Sequence, residues 1–97
     1  MRLVLHPRVY SDIDRIMEYY EATGTDQLAD AFYAELRSFV AEAARRPTSF
    51  SVRERDLRRV NLDRFPYYFI FRIVGDAVRV LVVRHHSRRP SFGMWRR

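Results

Sequence analysis

Apolar residues recur along the first half of the chain at the spacing of a helix face. After Pro7, the residues Val9, Ile13, Ile16, Met17 and Tyr20 follow one another at helical intervals, with Asp12, Asp14, Arg15 and Glu18 on the other face. Pro7 takes the first helical position, where its missing N–H costs nothing. Gly24 ends this helix, and Thr25 or Asp26 caps the next. Leu28, Phe32, Leu36, Phe39, Val40 and Ala43 carry a second stripe to Arg45-Arg46, where Pro47 stops it. Two amphipathic helices on so short a link predict an antiparallel hairpin.

The period differs on either side of this hairpin. Arg2–His6 reads as a short apolar strand. The polar stretch Thr48–Asp56 reads as an irregular, exposed loop, and Leu57–Leu62 as a strand. Pro66–Val74 and Ala77–His86 are rich in aromatic and β-branched residues, as strands are. Between them, Gly75-Asp76 has glycine at the first central position, which favours a type II′ turn. The order β-α-α-β-β-β predicts an α+β fold, a helical hairpin packed on a mainly antiparallel twisted sheet, in a single domain over residues 1–97. The last two strands are apolar on both faces, which makes them central. The hairpin can cover only one face, so something else, transient or permanent, is expected to cover part of the other.

Composition adds exclusions. The chain has 97 residues, 47% of them hydrophobic and 31% charged, enough for one core and too apolar for disorder. No apolar run approaches the ~20 residues that span a bilayer, and the N-terminus lacks a signal-peptide core. Cysteine is absent and histidine occurs three times, so neither a disulfide, a structural metal nor a cofactor is expected. A cytoplasmic location is the expectation.

Charge is distributed unevenly. Eighteen arginines and no lysine stand against twelve acids, for a net charge of +6. Residues 1–50 carry a net −2 and residues 51–97 a net +8, and from Arg84 onward there are five arginines and no acid. Such a field suits an anionic partner, either nucleic acid or an acidic protein segment.

Two stretches resemble the RelE/ParE superfamily of type II toxins. Leu57-Arg58-Arg59 leading into Arg64-Phe65-Pro66-Tyr67 and Ile70-Phe71-Arg72-Ile73 is similar to the LR…FPY-x-I-x-Y-x-V run of ParE-type members. His85-His86-Ser87-Arg88-Arg89-Pro90 is similar to their H-x-x-R-x-P. The chain departs from that pattern at Phe71, where the family has tyrosine, and at Trp95, where the tryptophan comes late. It also lacks the C-terminal lysines and tyrosine of RelE-type nucleases. The resemblance implies a growth-arresting toxin of the plasmid-stabilising kind, held in a hetero-oligomer by a cognate antitoxin, which is the expected guest on the second sheet face. For ParE-like members it implies DNA gyrase as the target, without enzymatic activity. The alternative is a ribosome-dependent mRNA endonuclease of the RelE kind.

The nuclease alternative has its own chemical requirements. Cleaving RNA through its 2′-hydroxyl needs a base, an acid and cations about the phosphate. Arg55, Arg59 and Arg84 suit the phosphate, whereas Glu54, His85 and His86 are the proton carriers available. His85 and His86 are adjacent on a strand and point to opposite faces. Each reads equally as a strand-end imidazole bonded to the following turn. For partner binding the candidates are Arg58, Arg72, Arg79, Arg88, Arg89, Phe92, Met94 and Trp95. Arg72 and Arg79 lie inside central strands, where a guanidinium needs a carboxylate from the helices or from an acidic partner. Phe92, Met94 and Trp95 among arginines make an interaction hook.

Overall fold

Strand β1 (Arg2–Leu5) leads through His6 into helix α1 (Pro7–Thr23), with Pro7 at the first helical position as the sequence predicts. The computed structural model describes residues 1–87 and Arg96. His6 caps α1 through its Nδ1, which accepts the Arg8 N–H at 3.1 Å. Gly24 ends the helix for want of room. A Cβ there would stand 2.8 Å from Leu28 Cδ2 and 3.0 Å from the Tyr20 carbonyl oxygen. Thr25 then caps α2 (Asp26–Arg45), its Oγ1 accepting the Leu28 N–H at 3.1 Å.

After α2 the chain makes a single 3₁₀ turn, Pro47–Ser49, and then β2 (Val52–Glu54), β3 (Leu57–Asn61), β4 (Tyr67–Val74) and β5 (Ala77–His85). The expected loop over Thr48–Asp56 therefore contains a short strand. β2 is fully exposed and pairs antiparallel with β3, so no apolar alternation announces it. The sheet order is β1-β5-β4-β3-β2, antiparallel except where β1 runs parallel to β5. Gly75 has φ +58°, and Asp76 after it does not, which is the pattern of the expected type II′ turn.

The helical hairpin covers one sheet face. Val9, Ile16, Phe32 and Leu36 pack there on Phe69, Phe71, Val78, Val80 and Val83. At one end the rings of Tyr20, Phe32, Phe65 and Tyr67 meet edge-on or tilted at centroid distances of 5.3–6.2 Å. A bulge where Ile70 pairs with Val82 and Phe71 with Val80 turns Leu81 and Val82 together to the opposite face.

That opposite face is where the structure corrects the sequence reading. Leu57, Tyr68, Ile70, Leu81 and Val82 form a second apolar cluster, and all are buried in the chain on its own. Part of the roof comes from polar side chains laid across the Tyr68 ring. The Arg59 guanidinium lies 3.8 Å from the centre of the Tyr68 ring, and His86 stacks on the same ring at 6.1 Å. This apolar surface does not await a partner.

Candidate partner-binding site

β1 pairs with β5 only from Ala77 to Val80, then leaves the sheet for α1. The His6 N–H continues the ladder to the Val80 carbonyl at 2.8 Å. Further along this edge, side chains replace the missing strand. Asp12, reaching down from α1, accepts the Val83 N–H at 3.0 Å, and Arg96 donates to the Leu81 carbonyl at 3.2 Å. The two side chains also hold each other, with Arg96 nitrogens 2.6 and 3.2 Å from the two Asp12 oxygens. Arg15 adds a contact at 2.9 Å, and Arg84 stands at 3.6 Å. The Asp12 carboxylate is fully buried, which is tolerable because backbone and guanidinium donors surround it.

Sequence reasoning placed Asp12 on the polar face of α1. The signal it passed over is spacing: Asp12 follows Val9 by three positions and precedes Ile16 by four, so it belongs to the buried stripe. Arg96 had no signal beyond its charge.

Beside this edge lies an apolar groove of about 290 Å³, between the helices and β1. Leu3, Leu5, Val9, Ile13, Leu36 and Val40 line it, with Tyr33 and Arg37 from α2. Leu3 and Tyr33 are exposed, and the Arg37 guanidinium stands 5.8 Å from the Tyr33 ring centre. The groove is thus an apolar trough with a guanidinium at its lip.

The candidate nuclease residues fall into separate groups, Arg59 with His86 over the Tyr68 ring and Arg84 with His85 beside Asp12, with the two histidines on opposite faces. His85 faces the helices, against Tyr67 at 5.1 Å, and its Nδ1 accepts the Ser87 N–H at 3.1 Å. His86 faces the other way, where Arg59 shares its Tyr68 ring. Arg84 stands near Asp12, and Arg55 sits in the β2–β3 turn at φ +54°. The tyrosines nearby are no substitute as proton carriers near neutral pH, since burial pushes Tyr20 up to about 12 and raises Tyr67 and Tyr68 as well. Among the described residues no group of histidine, cysteine and carboxylate side chains is placed to hold a metal ion. Nor is any described helix long and apolar enough to cross a membrane.

The partner-binding candidates are spread over the molecule. Arg58 donates to the Phe50 carbonyl at 2.6 Å on the helix side, opposite Arg59. Arg72 is paired with Asp56 of the β2–β3 turn, at 2.7 and 3.0 Å, rather than with a helix carboxylate. That two-point contact holds Asp56 below its ordinary range and raises Arg72. Arg79 is half-buried in β5. Arg88, Arg89, Phe92, Met94 and Trp95 lie outside the described residues.

Comparison with known proteins places this geometry. Residues 3–90 match the family model described as the ParE toxin of the type II toxin–antitoxin system parDE. Toxin ParE2 from two strains of Mycobacterium tuberculosis, CDC 1551 and H37Rv, is 26% identical over 90 residues, covering 93% of this chain and 86% of the relative. A solved chain of the chromosomal ParDE system from P. aeruginosa superposes with a TM-score of 0.78 at 19% identity, over 88% of this chain and 95% of that one. At that identity the likeness speaks for the α+β fold.

Proposed function

The chain belongs to the family of ParE toxins of type II toxin–antitoxin systems, and on that premise we propose that it arrests growth by inhibiting DNA gyrase and is silenced by an antitoxin seated in the hairpin groove. A toxin of this class has an antitoxin protein as its partner. The family match over residues 3–90 is the observation that carries the gyrase reading. For the seat of the antitoxin, the argument is one of available surface. The far side of the sheet is already buried, whereas the groove keeps Leu3 and Tyr33 exposed beside Arg37. An amphipathic antitoxin helix with acidic flanks supplies what this trough lacks.

Purified gyrase tests the target. Supercoiling should fall as the protein is added, and mRNA from induced cells should show no new 5′ ends. Normal supercoiling together with codon-specific cuts in mRNA would instead establish the nuclease alternative. The groove is tested separately by Ala41→Arg, an exposed lining position where a long cation fills the trough. Cells making this variant should remain arrested when the antitoxin is co-expressed, while wild type is rescued. Rescue of both would move the antitoxin elsewhere. The residues Arg88, Arg89, Phe92, Met94 and Trp95 are proposed for target contact, so removing residues 91–97 should abolish arrest while leaving the domain folded.

A further inference from the structure

We propose that Asp12 and Arg96 form a displaceable latch, in which a carboxylate on an acidic partner peptide takes Arg96 from Asp12. Its opening rests on the reading above that the neutralising partner is acidic. In the closed state Arg96 grips both oxygens of a fully buried carboxylate and is itself only 9% exposed, 84 positions along the chain. Asp12 is thus a positioning residue for Arg96.

The reason the latch can open lies in the other contacts of Asp12. Breaking a buried ion pair is ordinarily costly because it strands one charge in the interior. Here the carboxylate keeps the Val83 N–H at 3.0 Å, Arg15 at 2.9 Å and Arg84 at 3.6 Å after Arg96 departs. The departing guanidinium needs only another carboxylate, which it can grip in the same two-point manner. An approaching acidic segment is drawn to this place, since the Arg15 side chain beside the pair is 61% exposed and the chain carries a net +6.

The test uses the 97-residue chain, carboxypeptidase B and intact-mass measurement. This enzyme removes C-terminal arginine and lysine one at a time, so once Arg97 is gone it must draw Arg96 out of its contact with Asp12. Wild type should lose Arg97 and then stall. Asp12→Asn, whose amide oxygen still accepts the Val83 N–H, should lose residue 96 roughly tenfold faster. Arg96→Lys, which keeps the charge but gives up the two-point grip, should also be released faster once its rate is scaled to that of a free peptide with the same ending. It serves as the second variant should Asp12→Asn fail to fold. Equal rates in wild type and both variants would overturn the latch. Displacement is read separately by NMR: a poly-glutamate peptide should move the wild-type Val83 N–H resonance, which reports on Asp12, toward its position in Arg96→Ala. A Val83 resonance that saturating poly-glutamate leaves in place would overturn displacement by carboxylates. Neither result touches the antitoxin reading, which rescue of growth decides.

Discussion

Buried side chains in this molecule are held by partners on several elements at once, and their substitution should show it. Phe32 is fully buried, with the rings of Tyr20, Phe65 and Tyr67 against it. Phe32→Ala should cost about 3–5 kcal/mol, measured by chemical denaturation, because neighbours fixed on α1, on β4 and in the turn before β4 cannot collapse into the gap. His6 offers a contrasting case in which protonation matters. Burial, followed by the nearby guanidinium groups of Arg96, Arg79 and Arg8, holds its imidazole below the usual 6.5. The unprotonated Nδ1 is also what accepts the Arg8 N–H. The unfolded chain therefore binds the proton more readily than the folded one. Stability is full above pH 6.5 and declines as pH falls through that value toward the lower folded-state pKa. The thermal midpoint of His6→Asn, whose amide caps the helix in any protonation state, should vary less between about pH 7 and 5 than that of wild type.

The two hairpins with two-residue turns, β2–β3 and β4–β5, pose the same backbone problem and answer it differently. In β4–β5 the left-handed position is Gly75, at φ +58°, whereas in β2–β3 it is Arg55, at φ +54°. Gly75→Ala should destabilise by about 1 kcal/mol, since alanine resists that conformation even though its Cβ would meet no other atom. Arg55→Gly should stabilise by about 0.5–1 kcal/mol in the same denaturation assay, the relief of strain outweighing the added freedom of the unfolded chain. These turns also show what a sequence can convey. The Gly75 turn was legible because glycine beside two β-branched runs has a physical meaning of its own. β2 was not, because its three exposed residues are placed by pairing with β3 and carry no pattern. The helices were legible from their stripes, and Asp12 was misplaced because a carboxylate reads as polar until its donors on β5 and at Arg96 are known. The burial of the second sheet face was hidden for a similar reason, since the fit of Arg59 onto Tyr68 depends on the β3–β4 register.

As a whole the molecule carries a net charge of +6 and an open apolar trough, and its association with an antitoxin should reflect both. The rate of complex formation with the acidic antitoxin should fall on the order of tenfold from low to high salt, as stopped-flow mixing would measure. With the antitoxin in its proposed seat, dissociation should change much less, because the lining of the groove is apolar. The parallel pairing of β1 with β5 has a further consequence in time. Residues 2–5 find their partners only at residues 77–80, so the first strand of the sheet stays unpaired until β5 has been synthesised. At about 5–20 residues per second, the helical hairpin leaves the ribosome seconds before the layer beneath it can close. The groove proposed as the antitoxin's seat, walled by β1 and by Val80 and Val83, is therefore complete only once β5 has emerged, so neutralisation follows the closing of the sheet.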